Sequence, residues 1–350
     1  MNSKSTIQSK KKDRNFSLKG IFFRFIRGSI KFITSPFILL WYRLKHNNSE
    51  EFKQREKASF FDTKLLSQPL PYIPRHICHG LNYYGFFSSF TQYAGIKKIN
   101  SRYGIEHGLY IAAKGKKYGT EITFSDYREQ ALLKAHAKAI KIGPYIHYAT
   151  PVLDDSSFLK LKQQLGKVLL VFPVHSIDSV KIMYDIQAFI DFIEDHKAPY
   201  NTVMVCLHWK DFELHRDIMY EKQGYKIVTA GHPYDTHFLS RLKSIISLSD
   251  MVVANDVGTF LGYSIYMNKP VYLYSQPIEF TIGNSEKSFN KEINIRNHKE
   301  WEEVRKVKKN LHELFNIFEE KITSEQYSKV SYLFGFDYIR DNKTLKKLLQ

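Results

Sequence analysis

The chain has 350 residues, 43% of them hydrophobic and 25% charged, with a formal net charge of +17. That length accommodates two domains of ordinary size, and the globular composition excludes a low-complexity class. The charge is uneven: residues 1–46 hold eleven Lys/Arg against the single acid Asp13, which is +10 of the +17. The body is therefore only mildly basic and has no basic stripe or nucleic-acid signature, so an anionic surface is the expected partner and nucleic acid is not. Two cysteines, Cys78 and Cys206, fit a reducing cytosol and cannot build a disulfide framework.

Residues 1–15 are polar and basic, the composition of a disordered tail. Residues 16–46 mix aromatic and basic positions. Arg24, Arg27 and Lys31 share one helical face, and Phe22, Phe25, Ile26 and Ile33 project from the other. The longest uncharged run, residues 32–42, has eleven residues, too few to span a bilayer. Basic residues interrupt the apolar part, and no cleavage site follows as in a signal peptide. The expectation is an amphipathic helix lying on anionic lipid, with Pro36 as its kink and Trp41, Tyr42, Arg43 and Lys45 at the headgroup boundary. The alternative is an extra helix packed on the body.

In the first half of the body, Arg75-His76-Ile77-Cys78-His79 offers metal-capable side chains. It lacks a second ligand pair at useful spacing, so no metal is expected. Glu106-His107-Gly108 places an acid and an imidazole before a glycine that lets the chain turn; such a pair can move a proton near neutral pH. Residues 121–124 read as a short strand, followed by a helix to about residue 139 that carries His136 and a second strand over 139–142.

In the second half, 154–166 reads as a helical connector and 168–172 as a buried strand. His175, Ser176 and Ser179 follow it and lead into an expected helix, whose N-terminus would attract phosphate; capping by Asp178 or Ser179 is the structural alternative. A strand over 203–207 ends at His208-Trp209-Lys210-Asp211, and a helix runs on to about Gln223. Three more apolar runs, 226–230, 251–254 and 271–274, alternate with helix-length segments. Five strands with intervening helices imply a parallel sheet. Ligands bind such a sheet beyond the carboxyl ends of its strands. Gly231-His232-Pro233 and Asn255-Asp256-Val257-Gly258-Thr259 stand at two of those ends. Neither GxGxxG nor GxxxxGK[ST] is present, which sets aside the usual NAD and P-loop sites.

A His-Pro pair after one strand and a polar Asp/Gly/Thr loop after the next resemble the GT-B glycosyltransferases. More narrowly, the chain resembles the HP-motif sialyltransferases and the CDP-glycerol glycerophosphotransferases of bacterial surface-polysaccharide assembly. The latter share a His-Gly, here His107-Gly108. Where the sialyltransferases carry an acidic-acidic-Gly motif, this chain has Glu106-His107-Gly108. The resemblance implies an α/β fold of two Rossmann-like domains facing across a cleft. It implies that His232, held by Pro233, meets the nucleotide phosphate, and that His107, tuned by Glu106, deprotonates an acceptor hydroxyl. His175, Ser176, Asn255, Asp256, Gly258 and Thr259 would complete the donor site. The donor would be a nucleotide-sugar, CMP- or CDP-linked, used as substrate, with no cofactor or metal. The acceptor would be a capsule, lipopolysaccharide or related glycan at the cytoplasmic face of the inner membrane. Rival readings are a polyol-phosphate transferase, an epimerase or a non-catalytic scaffold of the same fold.

The last third reads as a polar loop over 280–298, an amphipathic helix over 300–320 and a further helix capped by Thr323 with Gln326. The expected boundaries are a basic tail with its helix over 1–50, an acceptor domain over 51–153, a donor domain over 154–280 and helices packing back on the body over 281–350.

Overall fold

The computed structural model describes residues 37, 50–68, 70, 85–100, 102–106, 108, 119–134, 136–297 and 300–350. The expected lipid-binding helix, the 75–79 cluster and His107 lie outside the described residues. The chain divides into two units, Met1–Ser49 and Glu50–Gln350, and every strand named below belongs to the second.

The fold is mixed α/β. Strands β1 (Tyr103–Ile105), β2 (Thr120–Thr123) and β3 (Lys138–Lys141) form a parallel three-stranded sheet in chain order. Strands β4 (Val168–Phe172), β6 (Thr202–Cys206), β7 (Lys226–Val228), β8 (Met251–Ala254) and β9 (Val271–Leu273) form a parallel five-stranded sheet, ordered β7-β6-β4-β8-β9. β4 and β8 are buried along their whole length, as expected of strands covered on both faces. Each fully buried Val, Leu or Ile here contributes about 1.5–3 kcal/mol of transfer free energy. The helix Asp155–Leu165 leads into β4; Asp154 caps it by accepting from Ser157 N–H, and Gly166 ends it at a φ of 64°.

The order of the five-stranded sheet decides where a ligand can enter. From β4 the chain moves outward through β6 to β7, then returns to β4's other side to lay down β8 and β9. The loops after β4 and β8 thus depart in opposite directions. A crevice opens at such a switch point, at the carboxyl ends of the strands.

Three expectations are corrected. First, no helix starts after Ser179. Ile177 and Val180 form a tight bridged turn into β5 (Val180–Met183), and the helix begins at Ile186, capped by Asp185. Second, the segment expected as a loop over 280–298 is not one in its described part, 280–297. β10 (Glu279–Ile282) pairs antiparallel with β5, and a helix spans Glu286–Arg296. That helix has no buried residue, so it left no apolar period in the sequence. Third, the segment 209–223 is two short helices, Trp209–Glu213 and Asp217–Glu221, separated at His215, whose φ is +53°. Two smaller corrections follow. His136 sits in a turn at φ +56° beyond the helix Asp126–Lys134, and the helix from Glu300 stops at Leu314.

The C-terminal helices pack on the three-stranded sheet. Ser125 Oγ donates to Leu333 O at 2.8 Å, Asn100 N–H to Leu349 O at 2.9 Å, and Tyr338 Oη to Asp126 at 2.5 Å. Thr323 and Gln326 form the expected capping box of the helix Ser324–Phe334. Its C-cap Gly335 adopts φ +66° and packs on the Phe124 carbonyl, a conformation and a closeness that suit glycine. Among the described residues no helix is long and apolar enough to cross a membrane.

Candidate functional site

A cavity of about 350 Å³ occupies the switch point of the five-stranded sheet, within the size range of small-molecule sites. Its walls come from every strand end that the topology directs there. From the end of β4 come Phe172 to His175, after β6 Leu207 and His208, after β7 Ala230 and Gly231, and after β8 Asp256 to Phe260. Gly108, from the loop after β1, also lines it.

The lining combines two chemistries. Part of it is apolar: Phe172 stacks on Phe260 with centroids 4.9 Å apart, and Ile182, Leu207 and Phe238 also line the cavity. The rest is polar. The helix Thr259–Tyr266 begins at the cavity, and its N-cap, Gly258, has no side chain to satisfy the first backbone N–H groups. Such a helix end attracts anions. Arg296 and Lys308 add two cations; Asp256 is the one carboxylate among the described lining residues, and Arg296 is paired with Glu292 at 3.0 Å. The Lys308 ammonium is 2.6 Å from Asp256, and His312 is 3.7 Å from it. Burial alone would raise the Asp256 pKa, but His312 and Lys308 outweigh it and hold the carboxyl below its usual range. The Arg296 guanidinium lies between the Phe280 and Trp301 rings, 5.0 and 5.5 Å from their centroids.

The structure brings together His175, Asp256, Gly258 and Thr259 of the residues singled out in the sequence. His175 is exposed on the cavity wall. Ser176 is fully buried instead, its hydroxyl accepting from Ile182 N–H at 3.0 Å. Asn255 is also fully buried; its Oδ1 accepts from Val174 N–H at 2.6 Å and ties the β8 loop to the β4 loop across the switch point.

His232 follows Gly231, whose φ of +83° is open to glycine without strain. The imidazole is 8% exposed and is not among the lining residues. It packs between Trp209 and Tyr234, each with centroids 5.0 Å away. Burial pushes its pKa down to about 4; Asp178 and Asp235 act upward and Arg55 downward. Its Nδ1 accepts from Tyr234 N–H at 3.1 Å, which puts the proton of the neutral ring on Nε2. Pro233 O accepts from Gly85 N–H at 2.9 Å and so joins this loop to the helix Gly85–Ala94.

Glu106 lies just after β1. Its carboxylate is 3.8 Å from the buried Arg128 guanidinium, and its carbonyl accepts from Tyr145 Oη at 2.5 Å. Neither Glu106 nor Arg128 lines the cavity.

Three basic lining residues escaped the sequence reading as site residues: His208, Arg296 and Lys308. For His208 the signal was present, since a histidine follows each of three adjacent strands, β4, β6 and β7. For Arg296 and Lys308 there was none, because their helices approach the cavity only through tertiary packing.

No family model matches the chain, and no curated protein matches it. Among solved structures it is similar to HepE from Anabaena in complex with UDP-glucose, at 15% identity over 66% of this chain and 62% of that one, with a TM-score of 0.31. It is similar to a UDP-GlcNAc 2-epimerase from Neisseria meningitidis bound to UDP-GlcNAc, at 11% identity over 60% of each chain and a TM-score of 0.29. A third likeness, to MnaA from S. aureus with UDP, has 10% identity over 82% of this chain and 84% of that one, with a TM-score of 0.37. The chain spans about three fifths of the first two structures.

Proposed function

We propose that this chain is a GT-B type glycosyltransferase whose nucleotide-sugar donor occupies the cavity at the carboxyl edge of the five-stranded sheet. The carrying observation is the pairing, at one switch point, of an apolar lining with an uncapped helix N-terminus, an exposed imidazole and two cationic side chains. An apolar lining suits a base or sugar face, and the cationic groups suit a diphosphate.

In this reading the base and ribose lie against Phe172 and Phe260, and the phosphates face Thr259, His175, Arg296 and Lys308. His232 is off the cavity lining, so in this reading it holds the β7 loop through Tyr234 N–H, and the lining residues meet the phosphates. His107, with Glu106, deprotonates the acceptor hydroxyl. The acceptor is a surface glycan or a lipid-linked precursor of one. The basic segment 1–46 holds the enzyme on the cytoplasmic face of an anionic membrane. The HP-motif sialyltransferases and CDP-glycerol enzymes supply the preferred donors, CMP- and CDP-linked.

The test is a thermal-shift and calorimetric screen of the full chain against CMP, CDP, UDP and GDP. A ligand at a hundred times its Kd stabilises the fold by about 2.7 kcal/mol. The expected outcome is a clear rise in Tm with one pyrimidine nucleotide, abolished in Thr259→Trp, which fills the helix end. If no nucleotide stabilises the protein, the reading is wrong. With a donor in hand, His107→Ala should abolish transfer while leaving nucleotide binding intact; near-normal turnover would remove His107 from the mechanism.

A further inference from the structure

The two histidines among the cavity's described lining residues face each other. The rings of His175 and His208 are stacked, with centroids 4.1 Å apart and planes 23° from parallel. Both line the cavity, and they come from neighbouring strands, β4 and β6. Each spends its Nδ1 on the backbone, in opposite senses. His175 Nδ1 is 3.1 Å from the carbonyl oxygen of Ser176; a carbonyl only accepts, so that nitrogen carries a proton. His208 Nδ1 accepts from Lys210 N–H at 3.4 Å, so the proton of the neutral ring sits on Nε2. In each ring Nε2 is the nitrogen left over for a ligand. On His175 it is a vacant acceptor until the ring takes up a proton; on His208 it is already an N–H donor.

The His208 ring is fixed by its surroundings. It caps the helix Trp209–Glu213 in a capping box with Asp211, whose carboxylate accepts from His208 N–H at 3.3 Å. Asp211 is held by Arg216 at 2.9 Å, and Arg216 also donates to the Ile182 carbonyl. The charged and titratable groups facing the pair are Lys210, Asp211 and Arg216 on the following helices, and His232 beyond Trp209. Asp178 lies on the turn before β5, and Asp256, Arg296 and Lys308 stand on the cavity lining. Lys210 is neutralised by Glu213 and lies 3.6 Å from Asp178. Burial first, then His175, His232 and Lys210, keep His208 well below the ordinary imidazole range. Two imidazolium charges at this spacing exclude one another, so the pair carries one extra proton at most, and the exposed ring is the one that water can reach.

We propose that His175 and His208 form a two-imidazole contact for the phosphate part of the ligand, with His208 a fixed neutral Nε2–H donor and His175 the member that takes a proton from solvent as the anion binds. The assignment rests on the nucleotide reading of the cavity for the ligand's identity, but not for the roles of the two rings. The two roles have different signatures. Loss of the fixed donor weakens binding equally at every pH, whereas loss of the proton-taking ring leaves only the pH dependence of the ligand's own phosphate ionisation.

The experiment combines two measurements on the full chain. Nitrogen-15 NMR of the ligand-free protein at high pH reads the tautomers directly: His175 is expected protonated on Nδ1 and His208 on Nε2. Calorimetry then follows CDP and inorganic pyrophosphate from pH 5 to 8.5. In the wild type, affinity is expected to fall by about tenfold per pH unit on the alkaline side. His175→Gln should bind weakly, with only the pH dependence that the ligand's own phosphate ionisation imposes. His208→Asn, which keeps an N-cap acceptor, should lose about tenfold at every pH, comparable to one charge-assisted hydrogen bond, and keep the wild-type slope. An Nδ1–H tautomer at His208, or a His208→Asn variant that binds within twofold of wild type, would overturn the proposal. Pyrophosphate binding with both signatures, without CDP binding, would sink the nucleotide reading and keep the pair. Failure of both anions to bind would sink the pair as well.

Discussion

The three-stranded and five-stranded sheets are both parallel throughout, yet their carboxyl edges are finished in opposite ways. Among the described residues, the edge at β1–β3 is sealed except where Gly108 reaches the cavity. The Tyr145 ring, fully buried, packs on Phe86, Phe90 and Phe124, and its hydroxyl lies 2.5 Å from Glu106 O and 3.0 Å from Ile122 O. The C-terminal helices pack on Phe124 through Phe334 and Gly335. At β4–β9 the order doubles back on β4, the loops diverge and a cavity persists. Parallel pairing supplies an edge of backbone ends in both sheets. Strand order decides whether that edge stays open, and the sealed edge stabilises a fold in which the other can carry buried titratable groups.

The largest expected effect tests the sealed edge. Phe124→Ala removes a ring in contact with Tyr145, Tyr263, Phe334 and the Arg128 guanidinium. It should cost about 3–5 kcal/mol in denaturant unfolding while nucleotide affinity stays unchanged. A loss of affinity as large as the loss of stability would show that the two edges are not separable.

A smaller effect belongs to the open edge. The His232 pKa is near 6.5 unfolded and about 4 folded. Between those values the unfolded state binds more protons, so stability is lost as pH falls from about 6.5 to about 4, amounting to about 3 kcal/mol. His232→Gln should flatten that acid limb in urea titrations at pH 7 and pH 4.5; an unchanged limb would mean another group carries it. The smallest is Thr323→Ala, which removes one half of the capping box on a helix that seals the three-stranded edge. It should cost about 1 kcal/mol, seen as a lower urea midpoint with an unchanged m-value.

The sequence carried the elements whose own residues demand burial. β4 and β8 are continuous apolar runs, and the connector helix shows its cap at Asp154 and its stop at Gly166. It hid those that depend on a distant partner. β5 and β10 are about a hundred residues apart and mix polar with apolar positions, so neither declares itself until the other pairs with it. The helix Glu286–Arg296 buries nothing. The same division holds in the site. Strand-end groups such as His175, Asp256 and Thr259 follow from the alternation of strands and loops. Arg296 and Lys308 arrive from helices whose placement is a tertiary matter. His208 stood in plain view at a strand end, but its partnership with His175 is created by the adjacency of β4 and β6.

Cys206 closes β6 on the cavity wall, and burial pushes its thiol up to about 12. At neutral pH almost none of it is thiolate, the form that reacts. The position therefore works as a slow clock for the pocket. Alkylation by a small maleimide should proceed only as fast as the wall admits reagent and water. A bound ligand should stop the clock, so in a Cys78→Ser background labelling of this one side chain reports occupancy without any assay of turnover.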